Sequence, residues 1–285
     1  MATDGAVHEA PGMTVVAAPR VRQDLRVAVA LAAAAALSTV AVFPYLMQLA
    51  PGRVEALPVP LPALIAIQAM QMFVLATLLA WAGLRMGHRV GLGAPLLQRW
   101  LNRHGQARLA PLQPWRAAGL GAAAAVVVLA LSALLDPLLL PPAKVAMQDI
   151  DGARSAMYGL LASFYGGIVE ELQLRLFLMT LLAWAVTWLL RRDRGYDGSL
   201  PPAAAWSAIL GAALLFGAGH LPAAAGVWDL DAGVIARTVL LNALAGVAFG
   251  WLYWKRGLEM AIVAHFTADL VLHVLMPLLM PHTVL

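Results

Sequence analysis

The sequence predicts an all-α fold: a polytopic transmembrane helical bundle of about seven spans, with a cytoplasmic N-terminus. Three observations carry that reading. Of 285 residues, 62% are hydrophobic and 12% charged, with mean hydropathy +0.79, far from the balance of a soluble domain. Seven apolar runs are each long enough to cross the hydrocarbon core of a bilayer. The basic residues gather on alternate connectors, as the positive-inside rule requires. The sequence has no cysteine, which excludes thiol catalysis, disulfides and thiolate-bound metals.

Residues 1–24 read as a polar, Gly- and Pro-containing cytoplasmic tail, with Arg20, Arg22 and Arg26 at the first apolar run. That run, Val27 to Ala50, is too long for a signal-peptide core and reads as an uncleaved anchor. A Pro-rich connector, Pro51 to Pro62, leads to a second span over about Leu61 to Leu84. Arg85 to Arg116 is the longest polar connector and carries six arginines. Leu96, Leu97, Trp100 and Leu101 sit there at helical spacing beside Arg99 and Arg103, fitting either a basic helix on an anionic membrane surface or an ordinary loop helix. Ala117 to Leu140 is a third span, and the whole of 25–150 forms an N-terminal group of spans with its basic loop.

Residues 151–285 read as a second membrane unit. Its first apolar run, Met157 to Leu190, is too long for one simple crossing, which leaves a tilted span, a bent span or a re-entrant segment open. A fifth span runs from Ala203 through His220, with a kink expected at Pro222. Val234 to Trp254 and Leu258 to Leu279 make the sixth and seventh. This topology places 14 of the 19 basic residues inside and three outside (Arg53, Lys144 and Arg154), with Arg175 and Arg237 within spans. The basic balance is thus a topology signal, and nucleic acid is not an expected partner. Tryptophans near span ends fit an interfacial belt.

The polar residues left at membrane depth are few. They are Glu170, Glu171 and Arg175 in span four, His220 in span five, Arg237 and Asn242 in span six, and His265, Asp269 and His273 in span seven. Ionisable groups inside a bilayer cost roughly 2.5–3.5 kcal/mol each on insertion scales, so they are functional candidates by default. Arg175 falls four residues after Glu171, on one helix face, and can pair with it. Glu170, about 100° around the helix, has no such partner and has the character of a general base. Three helices turning these faces inward would gather carboxylates and imidazoles in one cavity. That set supports hydrolysis by an activated water, with a histidine stabilising the oxyanion. Glu170, His220 and His265 also make a His₂Glu set for a divalent metal such as zinc. Ser163, Ser207 and Thr267 have no activating partner, which disfavours a serine or threonine nucleophile.

Glu-Glu-x-x-x-Arg at 170–175, Phe-x-x-x-His at 216–220 and His-x-x-x-Asp at 265–269 occur in the order found in the CAAX protease and bacteriocin-processing (CPBP, or Abi) family, which this chain resembles. The segment Gly250 to Met260 also resembles that family's approach to its last motif. The likeness covers about Tyr158 to Leu272. It implies a membrane-embedded endopeptidase of the CAAX prenyl protease type, in the bacterial plasma membrane, acting on a membrane-associated peptide or protein. It further implies Glu170 as the base, His220 as its partner on the water, and His265 with Asp269 at the oxyanion. Glu171 and Arg175 are implied as supports, and the family has been described both as metal-dependent and as metal-free. An ionised Asp cannot donate to an oxyanion, so Asp269 must be protonated, orient His265 or ligate a metal.

Each residue also has a plainer reading: an intrahelical ion pair for Glu171 and Arg175, interhelical hydrogen bonds for Glu170 and His220, a self-satisfied pair for His265 and Asp269, and a structural or pore-lining role for His273. Arg237 is expected to snorkel or to pair with an outer acid. The same ionisable set fits a proton-coupled carrier, though no repeat of the kind such carriers show is visible. A non-catalytic scaffold or bacteriocin immunity protein is the third reading.

Overall fold

The computed structural model describes residues 21–49, 59–103, 112–144, 151–190 and 200–280, and these are helical with short connectors. Seven stretches are long and apolar enough to cross a membrane: Val21–Leu49, Leu61–Gly87, Pro114–Leu139, Gly152–Leu189, Pro202–Ala224, Ala232–Arg256 and Leu258–Leu279. They are called spans one to seven below. The expected tail up to Arg20, and Arg53, Arg108, Asp149 and Arg191 to Arg194, lie outside the described residues.

Span one begins at Val21, so the last four residues assigned to the tail, Val21–Asp24, are helical. Asp24 is fully buried in the first turn. Its carboxylate meets His88 Nε2 at 2.8 Å and Arg85 Nη1 at 3.4 Å, both from the end of span two. An acid in a first turn is favoured by the helix dipole, and two basic partners outweigh the polarity that suggested a free tail. Ala28, Ala32 and Ala35 on span one and Ala76 and Ala80 on span two are buried in one core. Such small residues let two membrane helices approach closely. Span one breaks at Val42, just before Pro44, and resumes as Phe43–Leu49.

The basic connector contains a short helix, Pro95–Leu101. Its Leu97 and Leu101 pack against the core while Arg99 and Trp100 face outward. The Leu97 N–H donates to Glu259 Oε1 at 2.8 Å, which fastens this helix to the start of span seven. Span six is capped by Asp231, whose side chain accepts from the Val234 N–H at 2.8 Å. It ends at Gly257, whose φ of +90° makes the one-residue turn into span seven. Arg237 pairs with the outer acid Asp136 on span three, Nε–Oδ1 2.8 Å and Nη2–Oδ2 3.0 Å, one of its two expected fates. On the same side Lys144 Nζ meets Asp229 at 2.7 Å.

Span four is one continuous helical run, neither re-entrant nor broken. Its extra length is taken up by two π-helical segments, Tyr165–Glu170 and Leu172–Met179, between α-helical ends. The first helix of span five, Pro202–Gly219, ends before His220, and Pro222 sits in the first turn of the short helix that completes the span, Leu221–Ala224. The expected kink is therefore a break at His220. The buried core has two parts. One is built chiefly from spans one, two, four and five, and the other from spans three, six and seven. The polar cluster lies where the two meet.

Candidate active site

Span four meets span seven along a face of small residues. At Gly159 an added Cβ would strike the backbone oxygen of His273, and at Gly166 it would strike the Asp269 carboxylate. At Gly167 it would press on Phe266. Gly159, Ser163, Gly166 and Glu170 are spaced at intervals of four, three and four, which is one helix face. Ser163 returns its hydroxyl to the Gly159 carbonyl at 2.8 Å, so this face stays small and self-satisfied.

Directly beyond it stand the two glutamates. In a regular α-helix adjacent residues diverge by about 100°, which predicts that only one of them faces any given neighbour. The π turns that flank them change the local winding, and π-bulges are common at functional sites. Both carboxylates here reach the same imidazole. Glu171 Oε1 lies 2.7 Å from His265 Nδ1, and Glu170 Oε2 lies 3.7 Å from His265 Nε2.

Glu171 is the hub. It is fully buried, as is Arg175, and the two pair at 2.9 Å between Nη1 and Oε1. Arg175 Nη2 donates to the Gly246 carbonyl at 3.2 Å. Its guanidinium lies over the Phe216 and Phe249 rings, at 4.8 and 5.4 Å. The expected intrahelical pair is thus present, and it does more than neutralise itself: it holds Nδ1 of His265. That ring is stacked on Phe249 at 4.6 Å and meets Phe216 edge-on at 5.7 Å.

Phe216 explains its own place in the Phe-x-x-x-His motif. Its ring touches Arg175, His265 and His220, the last at 4.7 Å. Its carbonyl lies 2.9 Å from His220 Nδ1 and accepts that nitrogen's proton. His220 Nε2 is then left as an acceptor or ligand. His220 is half-buried at the break within span five. Among the described residues it makes no direct bond to Glu170 and joins the cluster through Phe216.

Asp269 is buried, with Oδ1 3.6 Å from His265 Nε2. That is too long for a hydrogen bond. His265 is therefore oriented by Glu171 and not by Asp269, and the two are not a self-satisfied pair. His265 Nε2 faces Glu170 on one side and Asp269 on the other. His273 lies one turn further out, with Nδ1 3.4 Å from the Tyr45 hydroxyl and the two rings edge to face. Tyr45 is the neighbour that sequence reasoning missed. It lies in span one, 228 positions from His273, and no spacing pattern could have linked them.

The donor set has the chemistry of a zinc site. Each histidine has its Nδ1 held by a carboxylate or a carbonyl, which is how metal-bound imidazoles are usually supported. The positions do not converge, however: among the described residues no group of three His, Asp or Glu side chains is arranged to hold one ion.

Residues 152–271 match the family model described as type II CAAX prenyl endopeptidase, Rce1-like. The match takes in span four through most of span seven, with Glu170, Glu171, Arg175, His220, His265 and Asp269, and leaves out spans one to three. Comparison with curated proteins and with solved structures gave no match. The order of the three motifs, their place in seven-span helical surroundings and this match agree, and residues 152–271 are similar to the Rce1-like type II CAAX prenyl endopeptidases.

Proposed function

We propose that this protein hydrolyses a peptide bond of a membrane-associated peptide or protein, using a water activated by Glu170. The observation that supports it most is the single imidazole of His265 flanked by both glutamates, one at hydrogen-bonding distance and one at 3.7 Å. Glu171, neutralised by Arg175, is committed to holding the ring. Glu170 keeps 23% of its side chain exposed and is the carboxylate free to act on a water.

Glu170 takes a proton from a water, whose oxygen attacks the scissile carbonyl. The carbonyl becomes a tetrahedral oxyanion beside His265 and Asp269. An oxyanion donor at that point requires a proton on His265 Nε2 or on the Asp269 carboxyl. Glu170 then passes its proton to the leaving amine, so that one water is consumed and one acid and one amine are produced. His220, with Nδ1 held by the Phe216 carbonyl, offers Nε2 as an acceptor for the second proton of the same water. A divalent metal on Glu170, His220 and His265 is a separate proposal that requires those groups to draw together, and no step here depends on it.

The test uses purified, detergent-solubilised protein and a diverse peptide library that includes prenylated CAAX peptides, with Glu170→Gln beside wild type. Cleavage by wild type that is lost in Glu170→Gln supports the reading. Inhibition by a chelator, reversed by zinc, favours the metal form. Cleavage that survives in Glu170→Gln refutes the assignment of the base.

A further inference from the structure

A recess of about 440 Å³ lies between the start of span three and the end of span six, lined by Leu112, Gln113, Trp251, Lys255 and Arg256. Among the described residues no acidic side chain lines it. Among the described residues neither cation meets a carboxylate. We propose that this recess binds the phosphate-bearing headgroup of an anionic phospholipid.

The arrangement suits that ligand in depth, charge and rigidity. Trp251 and Lys255 are four residues apart on one face of span six, so the indole lies one turn below the ammonium. An indole sits at the boundary between acyl chains and headgroups, and a cation one turn above it stands at phosphate level. Arg256 is already fixed, because Nη1 donates to the Leu112 carbonyl at 3.0 Å. Its remaining N–H groups form the planar fork that matches phosphate oxygens. Lys255 is steadied over the Trp254 ring at 3.4 Å. Holding both cations before the ligand arrives lowers the ordering cost of binding. The recess also opens at the end of the bundle where the basic connectors collect, which by the positive-inside rule faces the anionic cytoplasmic surface.

The chemistry recognised is a phosphate ester, which could come from a lipid or from a soluble compound, and the test separates the two. Full-length protein in neutral detergent is titrated with dioleoylphosphatidylglycerol, dioleoylphosphatidylcholine or glycerol 1-phosphate, and bound copies are counted by native mass spectrometry. The expected result is one tightly retained phosphatidylglycerol, bound at least roughly tenfold better than phosphatidylcholine or glycerol 1-phosphate. Lys255→Gln and Arg256→Gln should each weaken it about tenfold, while Arg99→Gln, an equal loss of charge on the loop helix, should not. Should Arg256→Gln fail to fold once the Leu112 contact is lost, Lys255→Gln decides alone. Equal binding of the two lipids, equal loss in Arg99→Gln, or glycerol 1-phosphate binding as tightly as the lipid each overturns the proposal.

Discussion

Replacing Glu171 by Gln tests the hub of the site, because the change keeps shape and removes only charge. In the structure one carboxylate oxygen serves both Arg175 Nη1 at 2.9 Å and His265 Nδ1 at 2.7 Å. The Glu171→Gln change would leave Arg175, 1% exposed, with the Gly246 carbonyl and two aromatic faces as its remaining partners. Stranding one member of a buried ion pair costs about 3–5 kcal/mol, and aromatic faces return only about 0.5–2 kcal/mol. The expected destabilisation is therefore about 1–4.5 kcal/mol, read from reversible unfolding in mixed micelles. Peptide hydrolysis should fall further than stability explains. The group that holds a working imidazole from behind is commonly worth about 10–100-fold in activity or ligand affinity. Arg175→Met should cost a similar amount of stability. The double variant Glu171→Leu/Arg175→Met removes both charges and should recover part of the loss, because replacing a buried pair by apolar groups is often close to neutral. Activity should stay low in the double variant, since His265 has still lost its support. Strictly additive stabilities, or a double variant with restored hydrolysis, would refute the hub.

Three further outcomes follow from the packing. Gly166→Ala places a methyl group against the Asp269 carboxylate; overpacking of this kind costs about 1–3 kcal/mol, and hydrolysis should drop sharply while Gly119→Ala, where a Cβ meets nothing within 4 Å, leaves the rate unchanged. Asp269→Asn keeps a donor beside His265 Nε2 and should retain hydrolysis within about tenfold, whereas Asp269→Leu should lose about 10²–10³-fold as oxyanion-donor deletions do; equal rates in the two would sink the oxyanion role. Asp24→Asn removes the charge shared by His88 and Arg85 and should lower stability by about 1–3 kcal/mol with no change in rate per folded molecule, as judged by unfolding and by active-fraction-corrected kinetics.

Much of this was legible because lipid is an unforgiving solvent for charge. An apolar background turns every ionisable residue into a visible exception, so Glu170, His220, His265 and Asp269 could be picked out without a structure. Spacing also pointed to the Glu171–Arg175 pair, a disruption near Pro222 and an outer partner for Arg237. What stayed hidden depends on geometry that periodicity does not carry. The π turns around Glu170 alter the winding without altering composition, so both glutamates facing one imidazole could not be read from steps of about 100°. Asp24 looked like part of a polar tail because its partners Arg85 and His88 lie 61 and 64 positions away in sequence. The Tyr45–His273 contact is longer-range still. Phe216 was visible as a motif letter, but its work as the plate shared by a guanidinium and two imidazoles is a property of packing.

The close seating of span four on span seven has a consequence for how a peptide arrives. Where Gly159 and Gly166 touch the backbone of His273 and the side chain of Asp269, no lipid tail or extended chain fits between the two helices. That seam is shut to lateral traffic. On the proposed hydrolytic reading, a scissile bond would approach from another quarter, on the flank where Glu170 keeps part of its surface open and His220 stands at the break within span five. On that reading, the bulk a substrate carries next to its cleavage point would be sensed on the flank beside His220, not at the seam against Asp269.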